Sequence, residues 1–300
     1  MREITIQDGN IEEGYIHGRE GRIWYRIAGR DRTKLPMLCV HGGPGCPHDY
    51  LKPLELLSDD RPVIFYDQLG CGNSEKPDRP ELWTIDYFAD EINEVRSALE
   101  LDEFFYFGQS WGTMVGAYYL LNRTQKGVRA AVFGGPVMRA QSLADDCAVL
   151  VSKLPPEHRE AIQKAEESGD YSSVDFAAAV TEFDRRHMCR LEDWPQYVID
   201  GDRKTGWQVY NTMWGPSEFI CSGNLKTFDL MPRLSEINIP VLFTCGEYDE
   251  CTPATVSDYH MAVKNSKMAV LADASHMHHV EKPREYKELV SLWLGQFEKK

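Results

Sequence analysis

An α/β fold with a mostly parallel central sheet and a helical insertion is predicted for this 300-residue chain by three features. Short, uninterrupted apolar runs alternate with segments of helical spacing. Several of those runs end abruptly in glycine or aspartate, as strands do where their loops turn toward a site at the sheet's edge. The alternation then stops between Met138 and Met231, where charges and helical patterns replace it, and afterwards resumes.

In chain order, Glu13 to Gly18 and Arg22 to Ala28 read as a hairpin turning through Gly18 to Gly21. Met37–Val40 and Val63–Tyr66 are apolar throughout and read as strands covered on both faces. Residues 86–100 place Phe88, Ile92, Val95 and Leu99 on one face of a helix. Phe104 to Phe107 is a strand, Met114 to Leu121 the helix after it, and Ala130 to Phe133 another strand. Beyond the insertion, Pro240 to Thr244 and Lys267 to Leu271 read as strands and Arg284 to Phe297 as a last helix. The division expected is a core in two parts, 1–137 and 232–300, separated by a helical cap, 138–231. Strand–helix alternation of this kind implies right-handed crossovers.

Composition narrows the function. Asp and Glu number 47 against 33 Lys and Arg, giving −14 with the nine histidines neutral. Such a surface repels phosphate backbones and anionic membranes, so neither nucleic acid nor membrane is an expected partner. The start shows no basic stretch followed by an apolar run, which argues against a signal peptide. Nowhere do about 18 apolar residues run together. Eight scattered cysteines lack a CxxC pair or a metal-ligand spacing, which points to reduced thiols in the cytoplasm and to neither a metal nor a cofactor.

The chemistry lies in Gly108-Gln109-Ser110-Trp111-Gly112, a G-x-S-x-G placed between a strand and a helix. Glycines at both ends permit the sharp turn that lifts a serine hydroxyl above the sheet. A hydroxyl needs a base and the base needs an orienting acid, and on this scaffold acid and then histidine follow the serine along the chain. Asp249 stands just past the run 240–244, flanked by Glu247 and Glu250. His276 stands just past the last strand, crowded by His278 and His279. Ser110, Asp249 and His276 are the triad these positions favour. The oxyanion formed in acyl transfer needs two N–H donors. One is the amide of Trp111, directly after the serine. The other comes from His41-Gly42-Gly43-Pro44-Gly45, after the third strand of this reading; Pro44 has no N–H, which favours Gly43. His41 reads as fixing that loop, and Cys71 as part of a structural turn.

These motifs together, with Asp67-Gln68-x-Gly70 and His276-x-x-x-x-Glu281-x-Pro283, resemble the proline iminopeptidase family of α/β-hydrolases over positions 41 to 283. The resemblance implies the α/β-hydrolase fold and a serine peptidase that removes an N-terminal residue, often proline, from short peptides, amides or arylamides without a metal. Gly246 to Glu250 and Gly215-Pro216-Ser217-Glu218-Phe219 are similar to segments of the archaeal tricorn-interacting aminopeptidases and bacterial L-amino-acid amidases. In those relatives, glutamates at these places hold the substrate's α-amino group, which implies that Glu218 and Glu250 do so here. The expected partner is thus a small peptide or amino-acid amide. Leu69 stands where many proline-selective members carry arginine, which argues for broader specificity. Trp194, Trp207, Tyr210 and Trp214 suit either a pocket wall or plain core. Two other readings fit the same motifs: a carboxylesterase or lactonase that reads no amino group, and a non-catalytic receptor on the same fold.

Overall fold

A computed structural model describes residues 1–298. Nine strands form one sheet in the order β1-β2-β3-β5-β4-β6-β7-β8-β9. They are β1 (Arg2–Asp8), β2 (Ile11–His17), β3 (Arg22–Ala28), β4 (Met37–Val40), β5 (Val63–Tyr66), β6 (Phe104–Gln109), β7 (Val128–Gly134), β8 (Val241–Gly246) and β9 (Ser266–Leu271). The first three strands and β5 pair antiparallel, and every pairing from β5 across to β9 is parallel. The fold is that of an α/β-hydrolase.

Side-chain alternation along the buried strands explains the layers. Leu38, Val40 and Tyr106 face one apolar cluster, while Met37, Cys39, Phe105 and Phe107 face another. The first is covered by α1 (Ile85–Ala98) and α2 (Trp111–Asn122) through Phe88, Ile92, Met114 and Val115. The second is covered by the 3₁₀ segment His48–Asp59 and the C-terminal helix through Leu54, Leu57, Val290 and Trp293. Helix α1 begins where Thr84 accepts a hydrogen bond from the Tyr87 amide, an N-cap.

Between β7 and β8 lie α3 (Ala140–Val151), α4 (Pro156–Ser168), α5 (Val174–His187), α6 (Gln196–Arg203) and α7 (Trp207–Met213). Phe176 and Phe183 of α5 and Met213 of α7 belong to the same apolar cluster as Val40 and Phe133 of the sheet, so these helices rest on a core continuous with it. Beyond β8 come α8 (Pro253–Ala262), the short α9 (His278–Glu281) and α10 (Pro283–Leu294).

Register places the site. Val40 lies opposite Gly108, Gly108 opposite Phe133, and Phe133 opposite Phe243. The loops after β4, β6, β7 and β8 therefore emerge along one edge, which gathers His41, Ser110, Gly135 and Asp249 there.

One element departs from the sequence reading. β1 was not anticipated, because this edge strand is solvent-exposed along its described side chains and its Ile4 is flanked by Glu3 and Thr5 instead of an apolar run. The glycine-rich loop consequently follows the fourth strand, not the third.

Close approach dictates Gly112. A Cβ there would fall inside contact distance of the Val40 carbonyl oxygen. Gly112→Ala is expected to lower stability by about 1–3 kcal/mol in chemical denaturation. Gly295→Ala, entering open space at φ −57°, serves as the control and leaves stability unchanged.

Candidate active site

Ser110 occupies the turn between β6 and α2 with φ 53° and ψ −120°, a backbone region that L-residues rarely adopt. Its amide donates to Gly134 O at 2.9 Å and its carbonyl accepts from the Thr113 amide at 2.7 Å. A Cβ at Gly108 would collide with the Gly112 carbonyl, so both glycines of the motif are required by space as well as by the turn.

His276 Nδ1 lies 2.8 Å from Asp249 Oδ1, and both residues are almost wholly buried. Asp249 also accepts from the amides of Cys251, at 3.1 Å, and Gly246, at 3.3 Å, which aim its carboxylate at the imidazole. The neighbouring acids and histidines are otherwise engaged. Glu247 is exposed and accepts from the Asp273 amide. His278 bonds Thr244 Oγ1 at 3.0 Å, and His279 Nε2 reaches the Tyr50 carbonyl at 3.1 Å. Burial holds His278 near pKa 4 and drives His279 well below the usual imidazole range, so both are neutral structural groups. His276 is the opposite case. Burial opposes its charge, yet Asp249, Glu250 and Glu218 together raise it to about 9.

The glycine-rich loop is braced from three sides. Gly43 has φ 108°, and a Cβ on it would crowd the Gly45 and Cys46 amides. The Gly42 amide donates to Tyr50 Oη, which in turn donates to Gln109 Oε1, each at 2.6 Å. The Gly42 amide is thus committed to this brace, and Pro44 has no N–H. His41 Nε2 accepts from the Gln68 amide at 2.9 Å while its Nδ1–H donates to Gly42 O at 3.0 Å. That pairing requires a neutral ring, and burial indeed lowers its pKa to about 4. Gln68 Oε1 meanwhile accepts from Trp111 Nε1 at 2.9 Å, joining this loop to the start of α2.

A cavity of about 930 Å³, counting its open mouth, lies over this edge and is lined by Gly43, Ser110, Glu218 and His276. Glu218 Oε1 accepts from Tyr210 Oη at 2.7 Å. Glu250 is fully buried; its Oε1 lies 3.8 Å from His276 Nε2, and neither of its oxygens has a hydrogen-bond partner among the described residues. Burial pushes both carboxyls up, and the neighbouring His276 draws them back. Of the four aromatic residues in question, Trp194, Trp207 and Tyr210 line the cavity, whereas Trp214 is buried core and donates to the Glu218 carbonyl at 3.1 Å. Leu69 is wholly buried in the core and absent from the cavity wall, so the departure at this position acts on packing.

Residues that sequence reasoning passed over complete the frame. The carbonyls of His187 and Met188, at the end of α5, accept from the amides of His276 and Met277 at 2.9 and 2.8 Å. Gly135 has φ 52°, and a Cβ on it would strike the His276 ring. The Gly-Gly-Pro that follows β7 was its visible signal. Asp184 of α5 also lines the cavity, raised to about pKa 8 by burial, Glu218 and Asp202; nothing in its sequence context set it apart from other helical carboxylates.

Comparison with known proteins shows the family. Residues 36–283 match the family model for the alpha/beta hydrolase fold. A proline iminopeptidase of Heyndrickxia coagulans is 39% identical over 94% of this chain and 98% of its own length. One from Clostridium botulinum is 36% identical over 95% of this chain and 99% of its own. The chain belongs to the proline iminopeptidase family of α/β-hydrolases. Among solved structures, the Mycobacterium smegmatis proline iminopeptidase superposes with a TM-score of 0.87 at 32% identity, covering 95% of this chain and 98% of that one. VinJ superposes with a TM-score of 0.91, also at 32% identity and with the same coverage. An esterase from Exiguobacterium antarcticum, at 17% identity and a TM-score of 0.69, shares the fold alone.

The family's Asp-Gln-x-Gly loop hangs on Asp67, which accepts from His48 Nδ1 at 2.7 Å and from the His48 and Asn73 amides at 2.9 and 2.8 Å. Burial opposes its charge, but His48, His41 and these amides hold it down to about pKa 2. Its stabilising contribution is therefore complete above the unfolded carboxyl's pKa of about 4 and disappears as pH falls through about 2. In urea melts across that window, Asp67→Asn is expected to lose about 2 kcal/mol at neutral pH and to flatten the acid-side slope.

Proposed function

We propose that this chain is a serine aminopeptidase that releases N-terminal proline, and other apolar N-terminal residues, from short peptides, amides or arylamides through an acyl-enzyme. The observation that carries this reading is the pair of carboxylates beside the Asp249–His276 pair. Glu218 lines the same cavity as Ser110, and the unpartnered Glu250 stands 3.8 Å from His276 Nε2. An exopeptidase must measure one residue from a free terminus, and carboxylates do so by charge-assisted hydrogen bonds to its ammonium.

Ser110 Oγ attacks the scissile carbonyl as its proton passes to His276 Nε2, and Asp249 fixes the ring through Nδ1. The amides of Gly43 and Trp111 receive the oxyanion. The C–N bond breaks as His276 returns the proton to the leaving amine, and a water, activated in the same way, hydrolyses the ester.

In this reading the segment 138–231 is a cap that supplies Glu218, and the segments 1–137 and 232–300 form the catalytic core. All eight cysteines are free thiols and no described helix is long and apolar enough to cross a membrane, which supports a cytoplasmic setting.

Ser110→Ala is expected to abolish turnover of prolyl arylamides, and Asp249→Asn to reduce kcat about 10⁴-fold while leaving substrate affinity near normal. Prolyl arylamide and its N-acetyl form are expected to differ at least about 100-fold in kcat/KM, with Glu218→Gln raising KM for the free amine. Equal rates on the acetylated substrate would displace this reading in favour of a carboxylesterase or lactonase.

A further inference from the structure

Glu250 presents an electrostatic conflict that amine recognition alone does not resolve. Both of its oxygens are buried without a hydrogen bond, and the nearest cationic candidate is His276 Nε2 at 3.8 Å. That nitrogen is itself buried and without a partner. An ionised carboxylate in such a place must be matched by a cation or else take up a proton. In the first case His276 is an imidazolium. In the second the Glu250 carboxyl is neutral and, at 3.8 Å, makes no hydrogen bond to Nε2. The place of His276 between Asp249 Oδ1 at 2.8 Å and Glu250 Oε1 at 3.8 Å favours the first, and a proton then occupies the lone pair that has to accept the hydrogen of Ser110.

We propose that the substrate's own ammonium unlocks the base. By seating against Glu250 it displaces one proton from the Glu250–His276 pair to solvent, leaving Glu250 ionised, His276 neutral and Nε2 free to serve Ser110. One cation replaces another, so the charge buried in the site is unchanged. The inference rests on the reading of Glu250 as an amine anchor and adds to it a role in making the catalyst.

The other groups around the pair agree. Asp249 holds the opposite ring nitrogen. Glu218 and Asp184 add negative charge toward Glu250, and burial keeps His278 and His279 neutral, so none of these supplies the missing cation. The raised pKa of His276, about 9, is the same imbalance seen from the imidazole. An uncharged substrate of identical shape would find the serine unactivated, so the site reads the amine twice, once in binding and once in catalysis.

The test uses the wild-type protein with L-prolinol, a cyclic amine lacking a scissile carbonyl, and with N-acetyl-L-prolinol. Titration calorimetry at neutral pH in buffers of different ionisation enthalpy counts the protons, and ¹⁵N NMR of labelled histidines reports which ring nitrogen changes. The expected result is selective binding of prolinol with release of about one proton per ligand, and loss of the proton or hydrogen bond at Nε2 of a single histidine. In Glu250→Gln that histidine is expected to be neutral before any ligand is added. Selective binding of prolinol without proton release, or with no histidine affected, would overturn this inference and leave the anchor standing. Equal binding of the acetylated ligand would remove the anchor itself, and this inference with it.

Discussion

The backbone of Ser110, bent to φ 53° between β6 and α2, is the constraint around which the rest of the site is arranged. An L-residue held there stores about 1–3 kcal/mol, so its surroundings must over-determine it. They do so through the Gly134 carbonyl, the Thr113 amide, and the approach of Gly112 to the end of β4. That last contact has a second effect. Because α2 packs on the carbonyls of Val40 and His41, the nucleophile's turn and the start of the glycine-rich loop are positioned against each other. Gln68 then ties the indole of Trp111 to His41. Ser110, Trp111 and the glycine-rich loop are thus joined in one hydrogen-bonded unit, the kind of preorganisation that the proposed chemistry requires.

Charge in the cavity follows a different logic from charge on the surface. Most of the charged side chains behind the chain's −14 lie outside the buried core, where salt screens them. At the site, Asp249 and Glu250 are buried, and Glu218 and Asp184 face the same cavity, with His276 the one group among them able to carry positive charge at neutral pH. Such a cluster is costly in isolation. It persists because two apolar clusters, above and below the sheet, supply stability from elsewhere. The resulting cavity favours cations for reasons independent of the net charge of the protein.

Legibility in the sequence tracked the physics of each element. The central strands β4, β5, β6, β7 and β8 are buried on both faces and announce themselves as apolar runs. Edge strand β1, with its described side chains exposed, does not. G-x-S-x-G, the glycine-rich loop and the late aspartate and histidine were readable because turns and strand ends impose residue types at fixed places. Position past a strand end already favoured Asp249 over Glu247 and His276 over His278 and His279; how those neighbours are otherwise engaged is a property of three-dimensional packing. Asp184, His187 and Gly135 act through contacts distant in the chain. A helical aspartate or histidine looks the same in sequence whether it faces water or a cavity.

Those distant contacts also limit how the site can open. The end of α5 is bonded to the base's own loop through the carbonyls of His187 and Met188, His187 Nδ1 donates to the Tyr248 carbonyl at 2.9 Å, and the Arg190 amide donates to Glu281 Oε1 at 2.6 Å. Glu281 in turn accepts from the Ser275 amide and hydroxyl at 2.6 and 2.9 Å, directly before His276. An opening that carried α5 away would break this set and displace both the acid's loop and the base. Motion confined to the stretch around Glu218 breaks none of these bonds. That stretch is nonetheless packed against α5, the Phe219 ring lying 6.1 Å from that of Phe176 and 5.0 Å from that of Phe183, so Glu218 and the loop of His276 share one support.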